Sequence, residues 1–118
     1  MYRITVKQGN FEYALINFNL SGMAGNGNIG DFSYKFAAKR TLSQPGYDIS
    51  LDSVNNPTQF ITQSVSSLMV VLTPDNTVNL LPGAYFWEMQ LQYLSGSMPI
   101  YISPPTQYGD LIVLEAIL

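Results

Sequence analysis

Ala84-Tyr85-Phe86-Trp87-Glu88-Met89-Gln90-Leu91-Gln92-Tyr93-Leu94 alternates without a break. Successive side chains of an extended backbone point to opposite sides, so period-two alternation marks a strand with one face on a core. Tyr85, Trp87, Met89, Leu91 and Tyr93 share one face, and Phe86, Glu88, Gln90 and Gln92 share the other. The first set supplies the candidate core, centred on Tyr85, Trp87, Met89 and Leu91. Pro82-Gly83 in front and Ser95-Gly96-Ser97 behind are turn signals that bound the strand, the second reading as a hairpin.

The same periodicity extends in both directions. Tyr2, Ile4 and Val6 alternate with Arg3, Thr5 and Lys7, and Gly9-Asn10 closes that strand. A second strand runs from Phe11 to about Leu20. Phe11, Tyr13 and Leu15 face one way there, and Ala14, Ile16, Phe18 and Leu20 the other. Apolar residues on both faces predict a central strand or one that switches its facing through a bulge. Ser21 to Gly30 holds four glycines and reads as a surface loop. No lysine follows it and no helix pattern opens after it, so it lacks the context of a phosphate-binding loop.

Phe32, Tyr34, Phe36 and Ala38 alternate with Ser33, Lys35, Ala37 and Lys39 as a third strand. A short strand is expected within Gly46 to Val54, and one or two more from Phe60 to Thr73. Thr73-Pro74 is the one good helix start, with a capping threonine and proline at the first helical position, and predicts a short helix over 74–81. Met98 to Ile102 returns as a strand, Ser103-Pro104-Pro105 interrupts, and Tyr108 to Leu118 forms the last strand. About seven to nine short strands at this spacing predict a single all-β domain over 1–118, an antiparallel immunoglobulin-like β-sandwich.

The 118 residues suffice for one core. Apolar residues make up 47% and charged residues only 11%, against an ordinary share of about 25%. That balance excludes a disordered chain, and the net charge of −3 supplies no electrostatic footprint for nucleic acid. Histidine and cysteine are absent, which removes Ser-His and Cys-His nucleophile pairs, Cys/His zinc sites and every disulfide. Neither end shows an export signal, and the longest apolar run near the C-terminus, Leu111-Ile112-Val113-Leu114, is far short of a bilayer span of ~20 residues. Asp31, Asp48, Asp52, Asp75 and Asp110 are too scattered for a calcium loop and read as solvated turn aspartates. No catalytic, cofactor-binding or metal-ligating set emerges, and neither an enzyme nor a small-molecule substrate is expected. A surface so poor in charge must be finished with neutral polar side chains and Tyr, the composition of a contact surface.

Two passages carry a family resemblance. The N-terminal strand ends in Gln8-Gly9-Asn10-Phe11, and a later strand ends in Lys39-Arg40. Then Leu72-Thr73-Pro74-Asp75-Asn76-Thr77-Val78-Asn79-Leu80-Leu81-Pro82-Gly83-Ala84-Tyr85-Phe86-Trp87-Glu88-Met89-Gln90-Leu91 follows. This resembles a small family of tailed-bacteriophage structural domains, similar to the N-terminal domain of baseplate upper proteins and related tail-fibre domains. Ser21 to Gly30 departs from the family's Pro-x-Asp-Leu-Thr type passage, and Gly109 to Leu118 is more apolar than the usual polar ending.

The resemblance implies a virion structural or adaptor protein of the tail, baseplate or fibre-attachment region, made in the host bacterial cytoplasm. Its partners would be copies of itself and other virion proteins, with no nucleic acid and no membrane. Rival readings are a host-surface or glycan-binding module, or a capsid decoration or head-fibre protein of the same fold. The apolar ending predicts a last strand covered by the sheet or by a neighbouring subunit, since an exposed one would template aggregation. Tyr101, Tyr108, Ile112 and Leu114 are the candidate interface residues.

Overall fold

A computed structural model describes residues 2–18, 32–95, 98–101 and 107–117. Its strands are β1 (Tyr2–Lys7), β2 (Glu12–Asn17), β3 (Phe32–Lys39), β4 (Ile49–Asp52), β5 (Phe60–Thr62), β6 (Ser67–Leu72), β7 (Gly83–Ser95), β8 (Met98–Tyr101) and β9 (Gln107–Leu114). They form two sheets. The larger has the order β1-β9-β7-β3-β4, with β8 also paired to β7, and the smaller has the order β2-β6-β5. The fold is an all-β sandwich. The predicted loop Ser21 to Gly30, the turn residues Gly96-Ser97 and the Ser103-Pro104-Pro105 break lie outside the described residues.

Alternation fills the core from both sheets. Tyr85, Trp87, Met89 and Leu91 of β7 are buried, as are Phe36 and Ala38 of β3 and Leu111 and Val113 of β9. Ala14 and Ile16 of β2 and Leu68, Val70 and Leu72 of β6 close over them from the small sheet. Tyr85 donates its hydroxyl proton to the Leu81 carbonyl at 2.7 Å. A tyrosine bonding backward to the corner before its strand is a recurrent lock of immunoglobulin-type sandwiches, where the residue two places on is a disulfide-forming cysteine. Here that place holds Trp87, which stacks on Phe36 with ring centroids 5.7 Å apart. An indole–phenyl stack stands where a disulfide could not form in a cysteine-free chain.

Trp87 also explains a glycine. Its indole N–H donates to the Tyr2 carbonyl of β1 at 3.0 Å, although β9 lies between the two strands. Gly109 is the β9 residue in register with both Tyr2 and Trp87. A Cβ at Gly109 would sit 1.8 Å from the Tyr2 oxygen. Only a residue without a side chain leaves the indole its path across the strand.

Three expectations need correction. The sandwich is not wholly antiparallel, because β1 pairs with β9 in parallel. β1 leaves through the Gln8-Gly9-Asn10 turn into a strand of the opposite sheet, so it does not form a hairpin with its sequence neighbour. It lies instead along β9, and the intervening chain supplies the long connection that a parallel pair requires.

Among the described strands β2 is not central; it ends the order of the small sheet. Its outward row is apolar and exposed, with Phe11 at 57%, Tyr13 at 55% and Leu15 at 39%.

The helix α1 is one turn, Pro74–Thr77, within the predicted 74–81. Asn76 accepts the Thr73 N–H at 2.7 Å and starts the turn, and Leu80 then donates to Thr77 at 3.0 Å as the helix tightens. Pro82 disfavours helical backbone at Leu81 and prevents continuation.

That single turn ties distant segments together. Thr77 is fully buried, and its hydroxyl accepts the Gly9 N–H at 3.0 Å. Gln8 donates its side-chain amide to the Leu80 carbonyl, while its side-chain oxygen accepts the Ala116 N–H. Gly9 sits at φ +71°, a backbone conformation glycine adopts at little cost.

Candidate interaction surface

The last strand is covered by the sheet, not left at its edge: β9 is flanked by β1 and β7. The side chains of β9 from Tyr108 to Leu114 therefore point either into the core or straight out of the large sheet. Leu111 and Val113 point in, while Tyr108, Asp110, Ile112 and Leu114 form the outward row. Tyr108 is 59% exposed and Leu114 47%, with Ile112 half-buried between them. The structure thus brings three of the four candidate interface residues onto one strand face. The backbone of Tyr101 pairs with Gln92, and its side chain, like that of Tyr93, lies outside the described part.

Sheet register adds a residue the sequence pattern did not single out. Phe86 lies opposite Asp110, which places it diagonal to both Tyr108 and Ile112. It is 47% exposed, so Tyr108, Phe86, Ile112 and Leu114 make an apolar strip across β7 and β9. Charge interrupts the strip: Asp110 stands between Tyr108 and Ile112, opposite Phe86, and Glu88 lies opposite Tyr108. Arg3 and Asp110 form an ion pair at 3.7 Å, and the mostly exposed Arg3 end makes its contribution small. Phe86 was legible as an outward residue of an alternating strand, but its neighbours depend on how β9 pairs with β7.

The other half of the same face is polar and concave. A cleft of about 280 Å³ is lined by Lys35, Lys39, Tyr47, Phe86, Glu88 and Gln90, among others. Lys39 lies over the Tyr47 ring, 4.9 Å from its centroid, and donates to the Gln44 carbonyl at 2.9 Å. A second cleft of about 400 Å³ shares Lys35 and Gln90 and continues past Ser33, Asp52, Asn55 and Gln92. Together they form a groove floored by the outward side chains of β3 and β7.

The carboxylates organise their own turns. Asp48 accepts the Arg40 N–H at 2.7 Å and the Gln44 amide at 3.1 Å. Asp52 accepts the Asn55 N–H at 2.7 Å and the Val54 N–H at 3.0 Å. The Asn55 N–H and then the Asn55 side-chain amide hold the Asp52 carboxyl below its ordinary 3.8. Asp48 and Asp52 bracket β4 without converging on a shared site. Among the described residues no group of three or more His, Cys, Asp or Glu is placed to hold a metal ion.

No protein-family model matches the chain, and no curated protein matches it significantly. Among solved structures it is similar to the N-terminal domain of phage TP901-1 ORF48, with a TM-score of 0.54 and 11% identity over 93% of this chain and 82% of that one. It is similar also to a Bacteroides vulgatus ATCC 8482 protein put forward as a glycoside hydrolase, with a TM-score of 0.50 and 10% identity. That match covers 96% of this chain but only 16% of the other. A third similar structure is the second Ig domain of the mouse polymeric immunoglobulin receptor, with a TM-score of 0.48 and 13% identity over 99% of this chain and 97% of that one. What the chain shares with the first two is the fold.

Proposed function

We propose that the chain is a non-enzymatic structural or adaptor domain of a bacteriophage particle, acting by protein–protein contact in the tail, baseplate or fibre-attachment region. The observation that carries this reading is the apolar strip of Tyr108, Ile112 and Leu114 on β9 with Phe86 on β7, two adjacent strands that are each already paired along both edges. Its exposed side chains are not the by-product of an unfinished edge. Apolar anchors around the Arg3–Asp110 ion pair, whose two charges already face each other, suit a contact that desolvates few ions. The fold shared with a phage domain of comparable length supports the setting.

Peptide mass spectrometry on purified particles of the source phage tests the setting, with copy number set against the major capsid protein. A fixed stoichiometry supports a virion component. Absence from clean particles while the protein is abundant in infected cells rejects it. For the surface, Ile112→Asp with Leu114→Asp should abolish assembly. An unaltered mass of the assembled complex in light scattering would remove the strip from the contact.

The groove favours a second reading, a glycan-binding module. Phe86 and the side of Tyr47 that Lys39 leaves uncovered would supply apolar surface to a sugar, and Lys35, Glu88 and Gln90 would supply hydrogen-bonding groups to its hydroxyls. It predicts saturable binding by the isolated chain, and a glycan array with no signal counts against it.

A further inference from the structure

β2 combines features that folded proteins usually keep apart. Among the described strands it is an edge, yet both of its faces are largely apolar: Ala14 and Ile16 are buried inward, and Phe11, Tyr13 and Leu15 are exposed outward, with Asn17 at the strand's end. An edge presents unpaired backbone groups and is ordinarily blunted by charge, proline, shortness or a bulge. The other described edges follow that rule. β5 has three residues, β4 has four and ends in Asp52, and β1 carries Arg3 and Lys7. β2 has six residues, contains no proline, and its one charge is Glu12 at its start. Its outward face continues over Met69, Val71 and Ile61 of the neighbouring strands with no charged side chain.

Backbone direction identifies the groups on offer. Phe18 donates its N–H to Ser66 across the pair with β6 at 2.8 Å. Alternation then turns the N–H and C=O groups of Tyr13 and Leu15 away from β6, toward the side on which no described strand pairs.

We propose that the chain pairs with a second copy of itself through β2, edge to edge and antiparallel, about a two-fold axis at Ala14. A two-fold makes the interface self-complementary. In this register Tyr13 of each copy hydrogen-bonds with Leu15 of the other, and both side chains lie on the same face as a cross-strand aromatic–aliphatic pair. Phe11, stacked on Tyr13 with ring centroids 6.4 Å apart, extends the contact.

Charge selects the direction. A parallel pairing in register sets the two Glu12 carboxylates side by side. The antiparallel one sets each opposite Ile16 of the partner copy, with four residues or roughly 14 Å of strand between the carboxylates. The two three-stranded sheets become one continuous sheet, and both open edges close at once. Edge pairing alone buries less than the ~800 Å² per partner of a standard interface, so the dimer is weak and dissociates in roughly the micromolar range. The inference is independent of a phage setting, since it concerns the purified chain alone.

The test is the mass of the purified protein by sedimentation, from about 1 to 500 µM, with hydrogen exchange at both ends of the series. The expected result is a rise from one chain mass toward two, with protection of the Tyr13 and Leu15 amides that appears only at high concentration. Leu15→Lys puts an ammonium group on the edge without touching the core and should raise the dissociation constant at least about tenfold. Thr5→Lys, on the β1 edge, should leave it unchanged. A single chain mass across the whole range overturns the proposal. So does a dimer that Leu15→Lys leaves intact, or one without protection at Tyr13 and Leu15.

Discussion

Gly109→Ala should be the most damaging one-methyl change in the large sheet. The added Cβ meets Tyr2 backbone at 1.8 Å to its oxygen, 2.7 Å to its carbonyl carbon and 2.9 Å to its nitrogen. Backbone cannot swing aside as a flexible side chain can, so β1 must move off β9. That movement breaks the 3.0 Å bond from the Trp87 indole to Tyr2 and leaves a buried donor without its acceptor. Orphaning a buried donor costs about 1–3 kcal/mol, and overpacking adds about 1–3 kcal/mol. The sum, about 4 kcal/mol, is a large part of a total stability of ~5–15 kcal/mol. For a chain of this size it lowers Tm by roughly 15 °C. Trp87 is the only tryptophan, so its fluorescence through a urea titration reads the change directly. Gly46→Ala is the control, because nothing lies within 4 Å of a Cβ there. Trp87→Phe removes the donor without the clash, so Gly109→Ala should cost less in that background than alone, with unfolding there followed by circular dichroism because the tryptophan is gone. A Gly109→Ala protein within about 0.5 kcal/mol of the parent would refute the close-approach reasoning.

Tyr85→Phe removes the 2.7 Å bond to Leu81 and the acceptor of the Arg40 guanidinium at 3.3 Å. It should cost about 1–2 kcal/mol in thermal or urea unfolding, and no loss would mean that the corner is held by packing alone. Asp52 is held below its ordinary 3.8, so its ionised form is favoured by folding; that contribution is complete above the ordinary value and is lost as pH falls through the folded one. Asp52→Asn should therefore flatten the loss of stability below about pH 4, and an acid titration as steep as the parent's would discount the turn as its source.

Alternation made β3, β6 and β7 readable because it depends only on local geometry and one buried face. Trp87 illustrates where that reading stops. Its facing follows from period two, but its bond to Tyr2 requires knowing that β1 and β9 are neighbours. No local signal carries that pairing, because Tyr2 and Gly109 lie 107 positions apart in the chain. β2 was misplaced for a physical reason. Apolar residues on both faces ordinarily mean cover on both sides, and the described part of one chain supplies cover on one. The helix was overdrawn at its end because Val78, Leu80 and Leu81 continue a helical spacing, while Pro82 acts backward on Leu81. For the surface, Tyr108, Ile112 and Leu114 were legible as alternate residues of one strand. Phe86 joins them only through register.

The two apolar surfaces lie on different sheets, and this gives their joint use a testable form. The strip on β9 faces outward from the large sheet, and β2 sits at the edge of the small one, with the sandwich core between them. Packed sheets stand about 10 Å apart, and substitutions farther apart than ~7–10 Å without shared partners add in free energy. A chain paired through β2 would keep its β9 strip open, so the dimer would offer two strips and bridge two neighbours. Leu15→Lys should then lower the mass of the free protein while leaving each chain able to engage a partner through β9. Ile112→Asp with Leu114→Asp should do the reverse, leaving the dimer intact and removing the contact to other proteins. Combined, the changes should give a folded monomer with both losses and no excess. A shift in the dimer equilibrium of more than about 0.5 kcal/mol on changing Ile112 and Leu114 would show instead that both surfaces belong to one interface.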